Sequence, residues 1–189
     1  MGELVVTEFI TLDGVVEDPG GAEGTANGGW TFKSDSAPEE MQFKLTELTG
    51  SDAQLLGRIT YQGFAAAWPA MEGTGEFGEK MNSMPKYVVS STLKDPEWNN
   101  TTVIDGDLAG EVAKLKQEYD GDILVQGSAS LAQALFAADL VDELHLSVHP
   151  VVLGGGKRLF ENGGVPRTFS LVAAVPSGSV VLLTYRRAR

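Results

Sequence analysis

Apolar and polar positions along this chain form short runs whose period changes from two to about four and back. The β-branched and aromatic residues of Leu4–Thr11 and the strict alternation of Glu143–His149 predict strands. Apolar runs at Ala53–Leu56 and Asp122–Gln126 predict buried strands, and each turns through glycine into a run with helical spacing. Because strands alternate with helices, we expect a mostly parallel sheet with helices on both faces.

The remaining runs complete this order. Tyr87–Ser90 and Thr102–Ile104 predict two further strands, whereas Thr168–Ala174 and Val180–Arg186 predict a C-terminal antiparallel hairpin. The predicted helices begin at four places, namely the capping-box pattern Ser36–Glu39, Arg58, Asp107 and Ser128.

Two segments are rich in glycine. Leu12–Asp35 is a long loop, and a loop of this length in a compact domain is usually functional or mobile. The segment from Trp68 to Met84 is predicted to be an excursion that contains one helical turn.

Two strand-to-helix turns carry the strongest chemical signal. In Gly57-Arg58 and in Gly127-Ser128, a buried strand turns directly into the start of a helix. Such a turn directs free backbone N–H groups and the positive end of the helix dipole at one point, which suits an anion. The planar guanidinium of Arg58 suits a phosphate group. Two such turns therefore predict a bound nucleotide with more than one phosphate.

These turns also carry a family resemblance. Leu56–Tyr61, Val88–Ser91 and Val125–Ser128 resemble the cofactor segments of dihydrofolate reductases and, more closely, of the reductase domain of riboflavin biosynthesis enzymes. Val141–Gly156 is similar to the strand and glycine-rich loop that follow in the riboflavin-type domain. The resemblance implies one dihydrofolate-reductase-like α/β domain over residues 1–189, with a mostly parallel central sheet and a C-terminal hairpin.

The resemblance further implies that NADPH is the cofactor. Arg58 and the hydroxyl groups after the third strand match residues that contact the ribose phosphate in dihydrofolate reductases, although Gly57 could serve only as a tight turn and Arg58 only as a surface charge. The predicted cofactor-binding residues are Gly57, Arg58, Thr60, Ser90, Ser91, Thr92, Gln126, Gly127, Ser128, Ala129 and Leu131.

On the substrate side, two carboxylates are the catalytic candidates. Asp13, with Gly14, opens the long loop, which in the resembling reductases closes over the nicotinamide. Glu40 matches in position the carboxylate that dihydrofolate reductases use to protonate the pterin, but it is also ordinary at a helix N-terminus. Trp30 and Phe32 could form aromatic walls for a flat substrate or could anchor the loop to the core.

Charge and composition restrict the possible partners. The net charge of −12 opposes binding to nucleic acid or to an anionic membrane, because both require a basic patch. The absence of cysteine excludes disulfides and thiolate catalysis, and no apolar run is long enough to span a membrane. The amino-terminal residues show no signal-peptide pattern, so we expect a cytoplasmic protein.

The strand Glu143–His149 carries both histidines of the chain. Its alternation places His145 and His149 opposite the apolar face, which predicts contact with solvent or with another subunit, and no third metal ligand is evident. The glycine-rich Gly154–Gly156 lacks the spacing of a phosphate loop, so it is interpreted as a bend.

Because riboflavin-type reductases are dimers through related regions, we expect a homodimer.

These patterns and the resemblance predict an NADPH-dependent reductase that transfers a hydride to a small heterocycle, pterin-like or pyrimidine-like. The alternative is an NADPH-binding module without turnover, with a regulatory or structural role, because the sequence identifies no strong proton donor.

Overall fold

The computed structural model describes residues 1–160 and 164–188. Five α-helices and two short 3-10 helices, Trp30–Lys33 and Trp68–Ala70, accompany eight strands in these ranges. The strands are β1 (Leu4–Thr11), β2 (Ser51–Gly57), β3 (Lys86–Val89), β4 (Thr101–Ile104), β5 (Asp122–Val125), β6 (Glu143–His149), β7 (Phe169–Ser177) and β8 (Val180–Arg187). The helices are α1 (Pro38–Gly50), α2 (Arg58–Ala67), α3 (Gly75–Ser83), α4 (Leu108–Glu118) and α5 (Ala129–Ala137).

The eight strands form one mixed sheet in the order β4-β3-β2-β5-β1-β6-β8-β7. All pairs from β4 to β6 are parallel, and β8 and β7 complete the sheet as an antiparallel hairpin. This confirms the predicted fold class. Because the carboxyl ends of the parallel strands share one edge, the turns that follow them come together there.

The core lies on both faces of the sheet, as the side-chain alternation of β1 illustrates. Leu4 and Val6 pack with residues of α4 and α5, whereas Val5 packs on the opposite face with Leu48 of α1 and Met81 of α3. A strand that is covered on both sides has few exposed positions, and seven of the eight residues of β1 are buried.

Two local predictions were wrong. Ser36 does not cap α1; Ala37 is the N-cap residue, and the hydroxyl oxygen of Ser177 in the C-terminal hairpin accepts a hydrogen bond from the Glu40 N–H at 3.1 Å. A distant residue therefore replaces the local capping box. The excursion before β3 contains a full helix, α3, because Met81 is buried against the sheet and stabilises more than one turn.

None of the helices in the described ranges is long and apolar enough to cross a lipid bilayer.

Candidate active site

The two glycine turns meet at the carboxyl edge of the sheet. The Gly57 N–H donates a hydrogen bond to the Gly127 carbonyl oxygen at 3.2 Å. A β-carbon on Gly57 would lie only 3.0 Å from the Ser128 backbone nitrogen and would overlap the Ser128 side chain. Gly127 has φ +91°, a conformation that favours glycine, and a β-carbon there would lie 3.0 Å from the Thr60 hydroxyl oxygen. Both glycines are thus required by close approach and not only by turn geometry.

The helices that start at these turns leave their N-termini uncapped by side chains. Gly57 is the N-cap residue of α2 and Ser128 that of α5, and neither provides a side-chain hydrogen bond to its first turn. By contrast, Asp107 caps α4 by accepting a hydrogen bond from the Gly110 N–H at 3.0 Å. The two uncapped helix N-termini offer backbone donors at one edge, which is a donor set that suits the phosphates of a dinucleotide.

Arg58 and the hydroxyl residues after β3 lie at the same level of this edge. Gly57 pairs with Val89 in the sheet register, so Arg58 and Ser90 follow at equivalent positions of neighbouring strands. The Arg58 guanidinium donates a hydrogen bond to the Gln62 side chain at 3.0 Å. Ser91 and Thr92 are exposed, whereas the Ser90 hydroxyl oxygen accepts hydrogen bonds from the Thr92 and Leu93 N–H groups. These two hydrogen bonds stabilise the turn in which Ser91 and Thr92 are exposed.

Other predicted cofactor residues differ in their access to this edge. Ala129 opens α5 beside the glycine turn, and Gln126 is half-buried with its amide 3.8 Å from the Met81 sulfur. The Leu131 side chain is only 5% exposed and belongs to the core cluster on the α4 and α5 face. The helical period turns that position towards the sheet, and the burial of its side chain does not favour the predicted contact of Leu131 with the cofactor, which stays a prediction.

A gap opens in the sheet beside the second glycine turn. β1 pairs with β5 only at Leu4–Val6, whereas it pairs with β6 as far as Thr11. Beyond Val6, β1 therefore faces the Gly127 turn without a ladder partner. Glu8 lies in this stretch, which pairs with β6 but not with β5, and its Oε1 atom would be 3.9 Å from a β-carbon on Gly127.

The predicted catalytic Glu40 forms a buried pair with a histidine. Its Oε1 atom is 3.0 Å from His149 Nε2, and His149 Nδ1 is 2.8 Å from the Ser34 hydroxyl. Burial opposes ionisation of Glu40, but the hydrogen bond and charge of His149 outweigh it and hold the pKa of Glu40 below its ordinary value. The pair lies at the end of β6, where Thr11 pairs with His149, and is thus at the same sheet edge as the glycine turns.

The long loop Leu12–Asp35 is stabilised by hydrogen bonds between its own residues. The buried Asp18 carboxylate accepts hydrogen bonds from the Glu23 and Thr25 backbone N–H groups. Trp30 is fully buried, donates a hydrogen bond from its indole to the Glu17 carbonyl at 2.8 Å, and packs edge-on against His149 with ring centroids 5.4 Å apart. These contacts favour the alternative in which Trp30 anchors the loop to the core.

Phe32, the other predicted aromatic wall, is 82% exposed. With Trp30 buried, the two rings do not form the predicted pair of walls. The physical reason is that the 3-10 turn at Trp30–Lys33 points these two side chains in different directions.

The Asp13 carboxylate holds the start of the long loop in place through hydrogen bonds. Its carboxylate accepts hydrogen bonds from the Thr11 hydroxyl at 2.6 Å and from the Gly154 and Leu153 N–H groups at 2.8 and 3.2 Å. The Thr11 hydroxyl, followed by the backbone donors, lowers the pKa of Asp13 to about 2. An acid this strong holds no proton near neutrality, so these contacts favour a structural role over the predicted catalytic one. These hydrogen bonds also give the glycine-rich bend a structural role, because the backbone N–H groups of Leu153 and Gly154 bind the Asp13 carboxylate.

The two histidines are not on a solvent face, so that prediction was wrong. His149 is 1% exposed, and His145 is held between Glu47 at 2.9 Å and Glu143 at 3.1 Å. The alternation of β6 indicated one polar face, but α1 covers that face and supplies acidic partners for both rings. In the described residues, no group of three histidine or acidic side chains is placed to hold a metal ion.

Sequence reasoning thus missed Glu8 and underrated His149. Glu8 is the one charged residue of the strand Leu4–Ile10, and a carboxylate within a buried strand is a recognisable signal. His149 and Glu40 are far apart in the chain, and nothing in the local pattern joins them.

The chain has an α/β fold of the dihydrofolate reductase type. The putative riboflavin biosynthesis protein of Shewanella sp. PV-4 superposes with a TM-score of 0.78 at 21% identity and covers 99% of both chains. Dihydrofolate reductase from Enterococcus faecalis, solved in complex with NADP(H) and RAB-propyl, superposes with a TM-score of 0.64 at 18% identity, covering 100% of this chain and 98% of its own.

The chain belongs to the family of the RibD C-terminal domain, whose pattern it matches over residues 3–183. It is also 33% identical over 160 residues to the YyaP protein of Bacillus subtilis (strain 168), which covers 83% of this chain and 79% of YyaP.

Proposed function

We propose that this protein is an NADPH-dependent reductase that transfers a hydride to a small, conjugated heterocycle of the pterin or pyrimidine type. The observation that carries the proposal is the contact between the Gly57 and Gly127 turns at the carboxyl edge of the sheet. The family and the NADP(H) complex of a structural relative support it.

The residues at this edge fit a dinucleotide phosphate. The backbone donors of the Gly57 and Gly127 turns would hold the diphosphate, and Arg58 with Ser91 and Thr92 would bind the ribose phosphate. In the described residues, no carboxylate lies within salt-bridge distance of the Arg58 guanidinium, so its charge is available to a ligand. NADPH, when bound, supplies the hydride. The protein supplies the orientation and excludes water from the cleft.

The Glu40–His149 pair is the acid–base group on the substrate side. His149 connects Glu40 to Ser34, which belongs to the same long loop as Trp30, and the Trp30 ring packs edge-on against the His149 ring. A buried histidine between a carboxylate and a hydroxyl can hold a proton on either ring nitrogen. We propose that this pair stores the proton that a reduced heterocycle takes up.

The test combines cofactor binding with turnover. Purified protein is titrated with NADPH by calorimetry, and NADPH oxidation at 340 nm is then followed with a panel of pterins and pyrimidines. The proposal expects binding and steady oxidation with at least one substrate. Replacement of His149 by Gln should lower turnover but leave NADPH affinity unchanged.

The alternative, a binding module without turnover, is supported by the internal hydrogen bonds that Asp13 and Glu40 already make. Tight NADPH binding without oxidation across the panel would favour that role. Absence of NADPH binding would contradict both.

A further inference from the structure

Glu8 is an ionisable group in the floor of the gap between β1 and the Gly127 turn. Its side chain lies on the same face of β1 as Val6 and Ile10, both of which belong to the apolar core. Glu8 is 8% exposed, and its Oε1 atom is buried without a hydrogen-bond partner in the part of the chain that the structure describes. A buried polar atom normally has a partner, so an orphan at a ligand cleft points to a partner that arrives with the ligand.

The surroundings of Glu8 favour its neutral form. Burial, partly opposed by the charge of Lys44 on α1 and aided by that of Glu23 in the long loop, raises the pKa of Glu8 to about 8. A neutral carboxyl group is a hydrogen-bond donor, which a carboxylate is not. Near neutral pH, Glu8 therefore offers a donor beside the turn that is proposed to bind phosphate.

We propose that Glu8 is a cofactor-binding residue whose carboxyl group donates a hydrogen bond to an oxygen atom of the bound dinucleotide. This inference rests on the proposed function, which it deepens by adding β1 to the cofactor site. Thr60 and Gly127 define the same spot from α2 and from the β5 turn, since a β-carbon on Gly127 would contact both Thr60 and Glu8.

A pH dependence follows from this role. If only the neutral form of Glu8 accepts the dinucleotide, the apparent dissociation constant is the intrinsic one divided by the neutral fraction. A carboxylate at this place would lose the donor and would repel the anionic cofactor. NADPH affinity should therefore fall above pH 8, by about tenfold at pH 9.

The experiment measures NADPH affinity by calorimetry from pH 7.5 to 9.5 in the wild type, Glu8→Gln and Asp122→Asn. The ribose phosphate, with a pKa of about 6, is fully ionised throughout this range. Asp122 is the matched control, because burial also raises its pKa but it lies at the opposite, amino end of β5. We expect wild type and Asp122→Asn to weaken with pH together, and the neutral Glu8→Gln to bind with little change across the range. Proton uptake on binding near pH 8.5, measured in buffers of different ionisation enthalpy, should disappear in Glu8→Gln only.

The outcomes separate the two proposals. Equal pH profiles in the wild type and Glu8→Gln would refute the role of Glu8 and leave the reductase proposal standing. Absence of NADPH binding by the wild type at pH 7.5 would refute the proposed function and this inference with it.

The free protein gives a second readout. Because the folded pKa of Glu8 is above its ordinary value of 4.5, its contribution to stability is fully present below pH 4.5 and is lost as pH rises to about 8. Urea unfolding should show that Glu8→Gln gains stability over the wild type between these values. If the two curves keep a constant separation, Glu8 does not titrate as proposed.

Discussion

Gly57 and Ser128 come from turns that follow different strands, yet a β-carbon on Gly57 would lie 3.0 Å from the Ser128 backbone nitrogen. The Gly57 N–H also donates to the carbonyl oxygen of Gly127, directly before Ser128. The two helix N-termini are therefore held together by backbone contact, and the space between them depends on the absence of a side chain at Gly57.

The first prediction tests this contact. Gly57→Ala should destabilise the protein by about 1–3 kcal/mol, because the added methyl group displaces the Ser128 turn. It should also weaken NADPH binding by about tenfold or more, which equals about 1.4 kcal/mol. Urea unfolding and calorimetric titration measure the two effects.

The control for this substitution is Gly63→Ala in α2, where a β-carbon would meet no other atom within 4 Å. That change should stabilise the helix by about 0.5–1 kcal/mol and leave NADPH affinity unaltered. If Gly57→Ala behaves in the same way as Gly63→Ala, the contact does not shape the site.

The second prediction concerns the choice between NADPH and NADH. Arg58→Ala should weaken NADPH binding about 10- to 100-fold, as expected for a charge-assisted hydrogen bond of roughly 1.5–3 kcal/mol, and should affect NADH much less. Lys114→Ala removes the same charge from the exposed face of α4, where Lys114 pairs with Glu111, and serves as the control. Equal losses for NADPH and NADH in Arg58→Ala would contradict the phosphate role.

The third prediction concerns stability and pH. Burial favours the neutral ring of His145, but the hydrogen bonds and charges of Glu47 and then of Glu143 outweigh it and raise the pKa of His145 above 6.5. The stability due to this raised pKa is fully present below pH 6.5 and is lost as pH rises through the folded value.

Replacement of His145 by Gln should therefore cost roughly 1.5–3 kcal/mol at pH 6, the range for hydrogen bonds to charged groups, and less at pH 9. Urea unfolding of both proteins at the two pH values gives the difference, in which groups that titrate in both proteins cancel. A cost that is equal at pH 6 and pH 9 would mean that His145 is not charged in the folded state.

The fourth prediction is a homodimer, which we propose forms through the C-terminal hairpin and not through β6, because β6 is covered by its neighbours. β7 is an edge strand, and its Leu171, Val172 and Val175 side chains are 56%, 58% and 44% exposed. Contiguous exposed apolar side chains on an unpaired edge are typical of a protein interface.

Light scattering should show about twice the monomer mass of 20.1 kDa at tens of micromolar protein. The double substitution Leu171→Glu and Val175→Glu should yield folded monomer. Met41→Glu, at an exposed apolar position of α1, should remain dimeric. A wild type that is monomeric under these conditions would refute the proposal.

The sequence by itself determined the order and type of the eight strands and of four of the five α-helices, together with the two glycine turns. These features depend on neighbours in the chain: the alternation in β6, the apolar runs of β2 and β5, and a glycine where a strand turns into a helix. Resemblance to a known family added the dihydrofolate-reductase-like fold class, which the family match and the superposed structures confirm.

Only the tertiary structure decided which side chains face the site. Whether Trp30 forms a wall or an anchor, whether His149 meets solvent or Glu40, and whether Asp13 is a free acid all depend on contacts between segments distant in the chain. Burial and pairing of a charged or aromatic side chain are set by the elements that pack over it, and α1 and the long loop pack over the end of β6. The pattern of a single strand contains no information about such a cover, whereas the shift of a pKa depends on it directly.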